Sequence, residues 1–362
     1  MNSTVLVVGA GIAGLTLAAA LHRRGHTPVV VERAPGPRPG GQALDVRGPA
    51  LDVLDRLGLL AGARAARTRM RGMSMHDAAG TELWRSTEMT YSAGMLDSAD
   101  IEVPRDDLTT LLHDLVRDDV EIVFGDTPVA IAPDGEVTFA GGTRRTFDLV
   151  VGADGLRSAV RRLVFGADEE FVRHLGAQVA VFGADNFLEL ADWQTWTQDE
   201  AGTWCAYPVH GNARLRITVG VPTSADERRE PDQWRAHLSE RLAHLAGDTP
   251  RVLEAMRAAP DFYSAAMAQV VMDRWHDGRV VLLGDAAHCP SPLSGQGTSL
   301  ALVGAHVLAE EFDRDPAHAP AAYEARMRPF VAVNQALATE NPGQGASPES
   351  LERAKNAFSL TA

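Results

Sequence analysis

Lysine is almost missing: Lys355 is the only one among 34 basic residues. Arginine carries nearly all the positive charge. Chemistry that needs a lysine inside a fold, such as a phosphate-loop lysine, a Schiff base or lysine-gated hypohalous acid transfer, has no candidate away from the C-terminal end. Cysteine is nearly as scarce. Cys205 and Cys289 are too few for a disulfide framework and too far apart in sequence for a metal-ligand pair. No HExxH, CxxC or serine elbow occurs, so no metal site is expected and a reducing cytoplasm fits. Positive charge as a whole is outnumbered, and the net charge of −14 argues against a grip on nucleic acid or anionic lipid. Long apolar runs are absent too: Val5 to Leu21 is broken by Gly9, Gly11 and Gly14 and lacks a basic start. The expected partner is small, with no membrane and no nucleic acid involved, and the chain is expected to be a monomer or weak homodimer.

What is there is an ordinary globular composition, 45% hydrophobic and 23% charged over 362 residues, which suggests two domains. Thr4 to Val8 is a β-branched apolar run. Gly9-Ala10-Gly11-Ile12-Ala13-Gly14 and a helix-forming stretch to Arg24 follow; Gly25 then stops the helix, and Val29-Val30-Val31 reads as a second buried strand ending at Glu32. The unit is strand, glycine turn, helix, strand. Gly9 permits the sharp turn, Gly11 leaves room for a pyrophosphate, and Gly14 lets helix and sheet approach. The helix N-terminus faces the phosphate charge. Glu32 can accept from a ribose 2′-hydroxyl and would repel a 2′-phosphate, so the nucleotide is read as the AMP half of FAD or NAD rather than NADP.

Two further strand ends carry an aspartate. Phe147 to Gly152 runs into Ala153-Asp154-Gly155-Leu156-Arg157-Ser158; Arg279 to Leu283 runs into Gly284-Asp285-Ala286-Ala287-His288, then Pro292-Leu293-Ser294-Gly295-Gln296-Gly297 opens a helix from Thr298 to Phe312. With the glycine fingerprint and Glu32, these three ordered motifs resemble the class A flavoprotein monooxygenases, the single-component FAD-dependent aromatic hydroxylases with a para-hydroxybenzoate hydroxylase-like fold, and among them the tetracycline-modifying branch. The resemblance spans about residues 4 to 335 and includes GGQALDVRG at 40 to 48 and the stretch from Val103 to Leu112.

The resemblance implies an α/β fold: a Rossmann-like FAD-binding domain with an inserted antiparallel-sheet substrate domain and C-terminal helices. The expected division is 1–70, 101–168 and 262–340 for FAD, 71–100 and 169–261 for substrate, and 341–362 as a tail with a short helix. It implies FAD contacts from Gly9, Gly11, Gly14, Glu32, Arg33, Arg105, Asp154, Gly155, Asp285, Gly295, Gln296 and Gly297. Arg47 is aligned with an arginine that approaches flavin N5, and Pro292, Gly295 and Gly297 let backbone reach the flavin ring. The implied activity is a monooxygenation. FAD reduced by NADPH or NADH combines with O2 to a C4a-hydroperoxide, which hydroxylates an aromatic or polyketide-like small molecule. Baeyer–Villiger insertion, another flavin oxidoreductase activity on the same fold, or a noncatalytic ligand-binding role stay open. The lack of a Trp-x-Trp-x-Ile-Pro stretch and of an internal lysine weighs against a halogenase.

From about residue 169 to 262, β-rich runs alternate with turn residues and predict antiparallel strands. Four of the six tryptophans fall between 193 and 234, which suits an aromatic ligand, so Phe182, Trp196, Trp204, Tyr207 and Pro292 are substrate-contact candidates. Asp261 to Met272 is expected to return the chain to the FAD domain. His288 and Cys289 are read as packing residues.

Overall fold

A computed structural model describes residues 2–91, 94–225, 227, 229–341 and 346–360. Two sheets organise it. The first is parallel apart from one edge strand and has the order His276–Asp277, Val280–Leu282, Leu149–Gly152, Thr4–Val8, Thr27–Glu32, Glu121–Phe124. Its inner strands are continuous apolar runs because both faces are covered, as parallel strands require. The helix Ile12–His22 packs between the helices Gly297–Arg314 and Arg105–Val116. Gly25, at φ +83°, reverses the chain after that first helix.

The second sheet has seven strands in the order Tyr263–Val270, Val172–Asp185, Arg214–Pro222, Thr203–Val209, Gln194–Gln198, Met73–His76, Glu82–Ser86. One pair, Gln194–Gln198 with Met73–His76, is parallel and the others are antiparallel. The strand Tyr263–Val270, expected with the FAD part, instead hydrogen-bonds along Val172–Asp185. Its alternating small side chains suit an edge of this sheet, which strand composition alone does not reveal.

Pairing fixes which residues share a face. Phe182, Trp204 and Ile217 point toward the helices Pro231–Leu242 and Thr249–Ala258, forming a core with Trp234, Leu238 and Met256. The opposite face carries Trp84, Met75, Trp196, Cys205 and Thr218 in one cross-strand row, with Tyr207 and Arg216 in the next pair along.

That opposite face is fastened to the parallel-sheet half by polar contacts. The buried Arg216 bridges Asp106, at the start of the helix Arg105–Val116, at 2.5 Å and Asp261 at 3.0 Å. Asp106 also accepts the Gly40 amide. The Tyr207 hydroxyl accepts the Ala43 amide at 2.7 Å, holding a ribbon in which Ala43–Val46 pairs with Ile101–Pro104. At the C-terminal end, Ser347 caps the helix Pro348–Lys355, and the sole lysine pairs with Asp100 at 2.8 Å and Glu352 at 2.7 Å. Among the described residues no helix is long and apolar enough to cross a membrane.

Candidate cofactor site

Three neighbouring parallel strands, Thr4–Val8, Leu149–Gly152 and Val280–Leu282, end level with one another: Val8 pairs with Gly152, and Gly152 with Leu282. The three sequence motifs leave these ends, so the sheet itself brings them together. Open α/β sheets bind ligands at such carboxyl ends.

The loops touch. A Cβ added at Gly9 would lie 2.5 Å from the Ala153 carbonyl oxygen, and one at Gly14 would lie 2.0 Å from the Gly9 oxygen. Neither position tolerates a side chain. Gly11 is different: a Cβ there meets nothing within 4 Å, so the helix start Ile12–His22 faces open space, as an anion site needs. Gly284, at φ +62°, lets the third loop lean on Ala13. Arg161 ties two of the loops together. Fully buried, it donates to the Leu156 carbonyl at 2.7 Å and the Ala286 carbonyl at 2.9 Å, with Asp168 at 2.6 Å as counter-ion. Sequence reading passed over Arg161, since an arginine beside Arg162 and before an exposed turn looks like surface.

Glu32 is half-buried and accepts from the Ala10 and Ala34 amides, which aims its carboxylate across the glycine turn. The Arg105 guanidinium has no hydrogen-bond or ion-pair partner among the described residues, and burial with the nearby Arg38 pulls its pKa below the ordinary arginine value. A half-buried, unneutralised guanidinium calls for an anion. Arg33 is exposed, as is Arg38, whose guanidinium lies over the Tyr263 ring at 5.3 Å. Asp285 is open to solvent while enclosed by protein, and that enclosure raises its carboxyl pKa, partly offset by the Cys289 thiol. A Cβ at Gly297 would lie 3.9 Å from Asp285 Oδ1, so this carboxylate sits at the N-terminus of the helix Gly297–Arg314. Just before it, Pro292 is exposed, Ser291 holds φ +74° and Gly295 is left-handed at φ +64°. A non-glycine residue at positive φ is strain of the kind stored at binding loops.

Several expected residues have other employment. Asp154 accepts from the Ser158 hydroxyl at 2.5 Å and the Ala159 amide at 2.6 Å, capping the helix Ala159–Val164; burial raises its pKa. Its neighbour Gly155, at φ +79°, has open space around it. The Gln296 side chain is fully buried, with neither amide atom bonded, so any contact from this residue to a ligand is not through its side chain. Arg47 does not present a free guanidinium: it pairs with Asp45 at 2.9 Å, is covered by Gly94, and lies against Gly295. Phe182 and Trp204 are sealed in the helix-side core, and the Trp204 indole N–H donates to Thr249 Oγ1 at 2.9 Å. They are not substrate contacts. Tyr207 is on the inner face but is buried, its hydroxyl held by Ala43. Of the four aromatic candidates in this sheet, Trp196 alone is both on the inner face and partly accessible.

The residues present fit FAD, with Gly11 leaving space, Arg105 awaiting an anion and Asp285 open. A model of the FAD binding domain family matches residues 2–314. The chain belongs to this family of flavin-dependent monooxygenases. An uncharacterized protein of Mycobacterium tuberculosis is 46% identical over 367 residues, covering 99% of both chains. A flavin-dependent monooxygenase of Legionella longbeachae is 33% identical, covering 92% of this chain and 87% of its own. The crystal structure of tetracycline destructase Tet(55) superposes with a TM-score of 0.87 at 31% identity, covering 99% and 98%. This flavoprotein is therefore an enzyme with FAD as its cofactor and the architecture of class A monooxygenases.

Proposed function

We propose that the flavoprotein accepts electrons from NADPH or NADH and uses O2 to hydroxylate an aromatic or polyketide-like small molecule in a reducing cytoplasm. The observation that carries this reading is the convergence of three motif loops around an open glycine turn, an unpaired Arg105 and a helix start beside Asp285. Bound FAD supplies the electron-transfer and oxygen-activating chemistry. The chain supplies the holding groups. Glu32 would take ribose hydroxyls, Gly11 and the first helix N-terminus would take the diphosphate with Arg105, and Asp285 would take ribityl hydroxyls. The backbone around Gly295 and Gly297, with the N-terminus of Gly297–Arg314, would face the ring. That helix end favours negative charge on the ring, which accompanies reduction.

The substrate face is aromatic. Tyr91 stands edge-on to Trp84 at 5.8 Å and to Trp196 at 5.3 Å, and the short hairpin of Met89–Thr90 with Gly94–Met95 sets Gly94 against Arg47. Trp84 and Tyr91 remain exposed, beside the half-accessible Trp196. Such a ladder favours a planar ring system. The Arg216 and Tyr207 fastenings keep this face fixed over the loops and help exclude water.

The test is a visible spectrum of the purified protein, then NADPH- or NADH-driven oxygen uptake across a panel of polycyclic phenols, with product masses. Uptake stimulated by one phenol and a product heavier by one oxygen atom is expected. A protein that cannot be reconstituted with FAD would end this reading.

A further inference from the structure

The ribbon behind the Gly295 loop carries charges that holding FAD does not explain. Asp45 and Glu102 are direct cross-strand partners. Both are largely buried, with the Asp45 side chain 11% exposed. Like charges opposed on a ribbon disfavour each other, and removal from water penalises each ion. Glu102 has its own donor in the Thr68 hydroxyl at 2.5 Å. Asp45 has Arg47 at 2.9 Å. Lys355 does not neutralise Asp45, being engaged with Asp100 and Glu352, while Asp100 also accepts the Gly48 amide at 3.2 Å. From the sheet above come Cys205 and Tyr207, whose pKa values burial pushes up, and Arg216, the cross-strand partner of Tyr207, which is engaged with Asp106 and Asp261. The helix Gly297–Arg314 offers the Ser299 hydroxyl, which accepts the Arg47 amide at 3.1 Å; the Gly295 loop carries no ionisable side chain, and the Gly94 hairpin carries Tyr91, whose phenol pKa burial raises.

Both members of the pair reach that loop. A Cβ at Gly295 would lie 3.4 Å from Asp45 Oδ2 and 3.7 Å from Arg47 Nη2. We propose that Asp45 is a positioning residue whose proton decides whether Arg47 acts on the Gly295 loop as half of a neutral pair or with its full charge. The proposal rests on FAD lying at this loop. Burial first, then Glu102, push the Asp45 carboxyl up to about 7, with Arg47 opposing them. The group is thus poised to change charge near neutral pH. Reduction of bound FAD would add negative charge near the loop and raise the Asp45 pKa further, so the fraction of Asp45 still ionised would take its proton from solvent. The only bond formed in the protein is its carboxyl O–H, and the Arg47 charge is released toward the loop.

The experiment is an equilibrium reduction of the FAD-loaded full-length protein by dithionite with a reference dye, from pH 6 to pH 9. Wild type, Asp45→Asn, Asp45→Glu and Glu102→Gln are compared, with FAD dissociation constants measured for both redox states. The cofactor's own ionisation is common to all four, so differences between the curves carry the result. Wild type should take up about half a proton more per two electrons near pH 7.5 than Asp45→Asn, the largest difference a shift of one pKa unit allows. The two should coincide at pH 6, where Asp45 is already protonated. At pH 9 the variant should favour reduced over oxidised FAD by about tenfold more, the equivalent of one pKa unit. Asp45→Glu should restore the bend, and Glu102→Gln should move it to lower pH by removing a like charge. Parallel curves for wild type and Asp45→Asn would overturn the proposal. If Asp45→Asn loses FAD, an unmoved bend in Glu102→Gln overturns it equally. Failure of every variant and of wild type to bind FAD would instead sink the cofactor reading.

Discussion

The two sheets reach their functions by different routes. In the parallel sheet both faces are buried, successive residues such as Val5, Leu6 and Val7 are equivalent, and binding is done at strand ends by backbone. In the antiparallel sheet neighbours have opposite fates: Trp204 packs under two helices while Cys205 looks toward the site, and Phe182 and Val181 divide likewise. Cofactor binding depends on where glycine allows backbone to go. The proposed substrate face depends on which parity of each strand faces inward.

The largest effect should come from breaking the helix-side face. Trp204→Ala should cost about 3–5 kcal/mol and a large fall in Tm. Trp196→Ala should cost less than half of that but weaken binding of a planar phenol, read by titration of the FAD-loaded protein. Equal losses of stability would erase the distinction between faces. A comparable loss, about 3–5 kcal/mol, is expected for Arg161→Ala in the parallel half, because Asp168 loses its buried partner and two loops lose their strut. Thermal unfolding with and without added FAD measures it.

Within the glycine turn the contrast narrows. Gly14→Ala should destabilise the apoprotein by about 3 kcal/mol or more, because its Cβ would lie 2.0 Å from the Gly9 backbone oxygen. Gly11→Ala should leave apoprotein Tm nearly unchanged while weakening FAD binding, since its Cβ meets open space until the cofactor arrives. A separate effect is one of pH. Burial holds His288 at about 3 and His306 at about 4, well below the ordinary histidine value. Unfolding lets both take protons near their ordinary pKa, so stability is full above about pH 6.5 and declines as pH falls toward 4. His306→Gln should flatten the fall of Tm between pH 7 and pH 4.5.

The cofactor half was the more legible one. Gly9, Gly11, Gly14, Glu32 and Asp285 announce themselves because a turn, a close approach or a strand-end acid admits few residue types, and the pattern is local. Asp154 shows the limit of that logic: the residue sits at the site, but its carboxylate closes a helix. Arg47 shows another: Asp45, two residues away, shares its face of the strand, but the spacing does not say that the two pair with each other instead of leaving the guanidinium to a ligand. Trp84 and Tyr91 went unread because they lie outside the tryptophan-rich segment and reach Trp196 only through the parallel pairing of Met73–His76 with Gln194–Gln198.

By itself the sequence determined the dinucleotide turn, the three strand-end loops and the exclusion of lysine and disulfide chemistry, because these follow from local backbone freedom and from composition. Tertiary structure alone decided which face of the second sheet looks at the site, that Tyr263–Val270 joins that sheet, and that Asp45 meets Glu102 across a ribbon. These facts depend on register between distant segments, and register is settled by the packing of the whole molecule.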